Sequence, residues 1–188
     1  MARFDYFSAL SELSDIMENE VALAFDGNGY KSSDMVAAGR KKAARLCADT
    51  QKALWGDMIP PLERGDIAAV LNSIVRVINT AAELRAERTR VFARVFSPPL
   101  RASRGNNGGG RGEIYTAMAR EIGGAVSLLG DLRHMKEPPP RVIYDLAPRL
   151  SEAEPTSHGD RAANLERKLG DELFLCYDRL VEAMYNNL

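Results

Sequence analysis

The first residues in this chain that could do chemistry are carboxylates at helical spacing. Glu83 and Glu87 stand four apart, as do Asp178 and Glu182. That spacing puts each pair on one helical face, where two carboxylates can hold a hard cation. Glu12, Asp15, Glu18 and Glu20 make a further acidic group, read as the solvated polar side of a helix. The opposite charge collects at Arg85, Arg88, Arg90 and Arg94. Cations suit a helix C-terminus, with Glu83 and Glu87 as local partners. The same four arginines would also make a docking surface for phosphate, acidic lipid or an acidic partner. Arg40-Lys41-Lys42 reads as a solvated patch.

The residues that usually reveal an enzyme are missing. His134 and His158 are the two histidines, and neither has HxxxH, HExxH or Glu-x-x-His spacing. No GxSxG, Walker or Cys–His motif occurs. The glycine cluster at 105–112 lacks the preceding strand and the Lys-Ser/Thr of a phosphate-binding loop. Cys47 and Cys176 form no CxxC pair and lie among apolar residues. They are expected to be buried free thiols in a reducing compartment. The chain therefore reads as non-enzymatic and without a cofactor.

Composition narrows the class further. A chain of 188 residues, 45% hydrophobic and 27% charged, suits a soluble globular protein. A net charge of -1 supplies no overall drive toward nucleic acid. The N-terminal Met-Ala-Arg-Phe-Asp-Tyr lacks the apolar core of a signal peptide. No apolar run approaches the roughly 20 residues of a membrane span. The expected location is the cytoplasm, or the inner face of a membrane as a peripheral protein.

The elements that must position these residues are helices. Leu10, Leu13, Met17, Val21 and Ala24 step by three or four and predict a helix over 4–25. Asp26-Gly27-Asn28-Gly29 ends it. Ser32 or Ser33 caps a second helix over 34–58, with Ala43, Leu46, Ala53 and Leu54 inward and Trp55 as a core or interface anchor. Pro60-Pro61 stops it, because neither proline has an N–H and Pro61 pushes Pro60 out of the α region. Glu63 and Asp66 open the next helix, over 64–96, where its dipole favours negative charge. Its stripe is Ile67, Val70, Leu71, Ile74, Ile78, Ala81 and Leu84. Residues 97–112, rich in Pro and Gly, read as a linker. A fourth helix over 113–136 carries Ile114, Met118, Ile122, Ala125, Leu129 and Leu132, with Gly123-Gly124 marking close packing or a weak point. Residues 141–150 suggest a short helix interrupted at Pro148. Ser157 begins the last helix, striped by Leu165, Leu169, Leu173, Cys176, Leu180 and Met184. No segment shows sustained strand alternation, so the fold class is all-α, an antiparallel helical bundle. The linker divides it into units at 1–96 and 113–188.

The corner Pro61-Leu62-Glu63-Arg64-Gly65-Asp66-Ile67 resembles the Pro-Leu-Asp-Arg-Glu-Asp-Ile corner of the PhoU-like family of phosphate-transport regulators. Leu46, Ala48 and Asp49 fall where that family has Leu-Glu-x-Ala-Asp, and Leu71 and Ile78 fall on apolar positions of its following helix. Leu165-Glu166 and Gly170-Asp171-Glu172-Leu173 look like its repeated Glu-x-Glu-Gly-Asp helix. The resemblance implies two similar three-helix units and a regulator that works by protein contacts. It also implies acidic pairs that bind metal ions. At those positions this chain has Arg45 and Asp49, Asn72 and Arg76, and Arg167 and Asp171. A guanidinium cannot ligate a cation. Arg45–Asp49 and Arg167–Asp171 are instead expected as salt bridges at i,i+4, a fixed cation standing in for the metal.

The expectation is an adaptor or regulator that modulates phosphate or another inorganic ion through a transporter or sensor protein. The arginines at 85, 88, 90 and 94 are its candidate contact. The second unit looks shortened, which would leave an apolar groove for a homodimer to cover. The alternative is a metal-binding helical bundle with a storage or catalytic role.

Overall fold

The computed structural model describes residues 4–26, 33–58, 60–95, 109–132, 135, 142–152 and 160–188. These form six helices: α1 Tyr6–Phe25, α2 Ser33–Gly56, α3 Arg64–Val95, α4 Gly109–Leu129, α5 Val142–Glu152 and α6 Asp160–Asn187. No strand occurs among the described residues, so the protein is an all-α helical bundle. Ser32, His134, Ser157, His158 and the linker up to residue 108 lie outside the described residues.

Four helices make the core. α1 packs against α3 and α4, and α6 packs against the same two, closing a ring. The contacts set the directions. Ser14 faces Gly123 and Phe7 faces Gly130 across α1 and α4. Ser73 meets Cys176 and Asp66 meets Asn186 across α3 and α6. Both neighbours therefore run antiparallel, with α1 and α3 pointing one way and α4 and α6 the other. α2 lies against the outside of α1 and α3, and α5 against α4.

The apolar stripes read from the sequence are the surfaces that meet. Leu10, Leu13, Met17, Leu71, Ile74, Met118, Ile122, Leu169, Leu173 and Leu180 are all fully buried in one cluster. Each such side chain contributes about 1.5–3 kcal/mol by leaving water. α3 has neighbours on both sides, so its apolar surface is broad. Its stretch Arg64–Arg90 is long and apolar enough to cross a membrane by length and composition, against the sequence reading, but most of it is buried inside the bundle. α5 carries Pro148 in an exposed position and still inserts Ile143 and Leu146 into the core.

Three local expectations are corrected. Trp55 is not a core anchor: its neighbours Ala53 and Leu54 face inward with Tyr6 and Ile67, and Trp55 is 86% exposed. Residues 109–112 are not linker but the first turn of α4. A side chain at Gly112 would place its Cβ 2.7 Å from the Cβ of Phe25, so glycine is what lets α4 approach α1 there. α4 also ends early, at Leu129, where Gly130 and Asp131 donate back to Ser127 and Leu128 at 3.3 and 3.0 Å.

The corner between α2 and α3 is held by polar groups from both sides. Arg64 donates to the carbonyls of Leu54 at 3.1 Å and of Asp57, which covers the open C-terminal carbonyls of α2. Tyr6 Oη donates to Asp57 at 2.6 Å. From the far end of the sequence, Asn187 Nδ2 donates to Asp66 at 2.9 Å, Asn186 adds a bond at 3.2 Å, and Glu63 N donates to Asn187 Oδ1 at 3.3 Å.

Candidate functional site

Away from the corner, at the other end of the bundle, the core is charged. α1 brings Glu20 and Phe25, α3 brings Arg85 and Arg88, α4 brings Arg111 and Tyr115, and α6 brings Glu166. Glu20 and Glu166 are each 1% exposed, a rare state for a carboxylate. Arg111 reaches Glu166 at 3.4 Å. Tyr115 Oη donates to the backbone carbonyl of Glu166 at 3.1 Å. The Arg88 guanidinium lies over the Phe25 ring at 5.1 Å, and Phe25 stacks on Tyr115 at 5.1 Å. Arginine, phenylalanine and tyrosine thus form one pile between α3 and α4, with cation–π attraction at its upper contact.

Burial sets the electrostatics. It pushes the Glu20 carboxyl above its ordinary value, against the pull of Arg85 and Arg40. It pushes Arg88 down, opposed by Glu166. It raises Tyr115 to about 12, with Glu166 adding to the shift. Glu20 Oε2 and Arg88 Nη1 are buried without a hydrogen-bond partner. Each of these two atoms is taken out of water without a hydrogen bond in return, which costs desolvation energy.

Of the four arginines expected as one basic surface, the three whose side chains are described do not share one. Arg85 and Arg88 are half-buried and face the charged core. Arg90 is exposed and meets Glu87 at 3.5 Å. Arg94 lies in α3, but its side chain is outside the described residues. Glu87 also receives Arg161 at 3.6 Å, which ties α3 to α6.

The acidic groups are likewise separated. Glu12 pairs with Lys42, and Glu18 with Arg120 at 3.1 Å. Glu20, expected on the same solvated side, turns into the core, which corrects that reading. Asp178 accepts from Tyr144, and Glu182 pairs with Arg179 at 2.6 Å. Arg45, Asp49, Asn72, Arg76, Arg167 and Asp171 are all exposed. Asn72 accepts from Gln51 at 3.5 Å. Among the described residues no ion pair joins Arg45 to Asp49 or Arg167 to Asp171, so the expected salt bridges are not made. Nor do three His, Cys, Asp or Glu side chains stand together as a metal site among the described residues.

Both cysteines are free thiols. Cys176 is buried, receives Ser73 Oγ at 3.3 Å, and is raised to about 12 by burial. Cys47 is only half-buried, and burial raises it too. Neither is a ready thiolate nucleophile at neutral pH.

Glu20 and Glu166 are the residues a reading by charge misses. The signal was positional. Glu20 stands three after Met17 and seven after Leu13, and Glu166 three before Leu169 and seven before Leu173. Both therefore occupy apolar stripe positions.

No protein-family model, curated protein or solved structure matches the chain.

Proposed function

We propose that the chain is a non-enzymatic adaptor or regulator of the PhoU-like type. It modulates transport of phosphate or another inorganic ion through contacts with a transporter or sensor protein at the cytoplasmic face of a membrane. The supporting observation is a repeated arrangement. In each consecutive trio the outer helices pack together, α1 on α3 and α4 on α6, while the middle helix, α2 or α5, lies outboard. Two related three-helix units would produce this pattern. The corner at Pro61–Ile67 joins α2 to α3 as a helix junction should. The contact surface narrows to the exposed Arg90 together with Arg94, since Arg85 and Arg88 face the core. A homodimer is the expected assembly, checked by sedimentation at micromolar concentration.

A tagged pull-down from native membranes, under phosphate-rich and phosphate-poor growth, tests the proposal. Enrichment of an ion transporter or its sensor, reduced by Arg90→Glu, is the expected result. Recovery of this chain alone under both conditions would overturn it.

A further inference from the structure

Trp55 is the single tryptophan of the chain and is 86% exposed; Met58, just beyond the same helix, is 93% exposed. One such side chain by itself would be ordinary; exposed apolar residues that stand together mark a contact surface. They do not stand alone. Lys41, Arg45, Ala48, Lys52 and Trp55 follow one another at spacings of four, three, four and three, and all five are exposed. That spacing draws one straight face along α2, roughly 21 Å long, turned away from the bundle. The inward side of the helix is Ala43, Thr50 and Leu54, all buried.

The charge of this face is positive. Lys41, Arg45 and Lys52 lie along it, with Asp49 the acidic residue beside them among the described side chains. Lys42 is already paired with Glu12 on α1. The whole chain has a net charge of -1, so the cationic character is local and would orient the molecule rather than attract it everywhere.

We propose that this face of α2 docks on an anionic lipid membrane. Lys41, Arg45 and Lys52 meet headgroup phosphates while Trp55 and Met58 enter the interfacial layer. The distribution of side chains favours lipid over an acidic protein. A protein hot spot sits in the middle of a patch that excludes water around it. Here the apolar pair stands at one end of a charged stripe, along which Ala48 is the one small apolar side chain. Tryptophan at headgroup depth with cations beside it is the arrangement of an interfacial helix. The inference is independent of the regulator reading, because a lipid surface alone should suffice.

Trp55 supplies the test, since its emission reports this face alone. The intact protein is titrated with vesicles of mixed phosphatidylglycerol and phosphatidylcholine, and with pure phosphatidylcholine. A blue shift and co-sedimentation with the anionic vesicles are expected, weakened about tenfold between roughly 0.1 and 1 M salt as the screening length shrinks. Lys41→Glu/Arg45→Glu/Lys52→Glu should abolish both effects. Trp55→Ala should reduce co-sedimentation with helix content unchanged by circular dichroism. Equal binding to both vesicle types, binding to neither, or undiminished binding of the triple variant would overturn the proposal. A shift produced by polyglutamate but not by vesicles would overturn it in favour of an acidic protein. A shift on concentrating the protein without lipid would overturn it in favour of a second copy.

Discussion

The two ends of the bundle handle polar groups in opposite ways. At the corner end, the charged or amide groups of Arg64, Asp57, Asp66, Asn186 and Asn187 find partners at hydrogen-bonding distance near the surface. Water remains close, so little desolvation is involved. At the other end, Glu20 and Glu166 are taken out of water among Arg85, Arg88 and Arg111, and Glu20 Oε2 and Arg88 Nη1 lack partners. One end fastens helices. The other concentrates charge in the core, where taking ionic groups out of water is expensive and removing one partner leaves the other uncompensated.

Breaking this contrast should have its largest effect at the charged end. Glu166→Ala removes the partner of Arg111 and the field that supports Arg88, and should destabilise by about 3 kcal/mol, read by urea unfolding. Gly112→Ala forces a Cβ against Phe25 and should cost about 1–3 kcal/mol on the same measurement. Arg64→Ala, at the fastened end, removes charge-assisted bonds to exposed carbonyls and should cost about 1–2 kcal/mol. Loss from Arg64→Ala larger than from Glu166→Ala would reverse the comparison.

Two smaller effects sharpen it. Burial holds the folded Glu20 above its ordinary value, so the folded state binds that proton more tightly than the unfolded chain. This contribution is full below the unfolded value and is lost as pH rises through the folded one. Glu20→Gln should therefore flatten stability against pH over that interval and leave lower pH unchanged, as thermal melts at a series of pH values would show. Trp55→Ala should move stability by no more than about 0.5 kcal/mol, because the ring is almost wholly in water.

The helices and the packing class were legible because period-3.6 stripes are written into the sequence at Leu10–Ala24, Ile67–Leu84 and Leu165–Met184. The corner was legible for a covalent reason, the missing N–H groups of Pro60 and Pro61. What stayed hidden depends on distance in sequence. Gly112 looks like linker until Phe25 is placed 2.7 Å from its potential Cβ. Trp55 looks like a core anchor until Ala53 and Leu54 are seen to take the inward positions. Glu20 and Glu166 sat on the stripes in plain view. A carboxylate at a stripe position argues against burial by residue type, and it is the arginines of other helices that make their burial tolerable. The pairing of Arg45 with Asp49 shows the reverse error: spacing permits a contact, but two solvated side chains gain little by holding it.

The bonds from Asn186 and Asn187 to Asp66 join residues 120 and 121 positions apart. On a ribosome, the corner is made long before the residues that complete it. At ordinary elongation speeds of about 5–20 residues per second, 120 residues take roughly 6–24 s. During that interval α3 is completed and α4 and α6 are made, so the apolar sides of α1 and α3 wait in turn for the helices that cover them. The nascent chain must wait, partly folded, for Asn186 and Asn187. Slowing translation after the corner should therefore raise its demand for chaperones, even though the finished protein is unchanged.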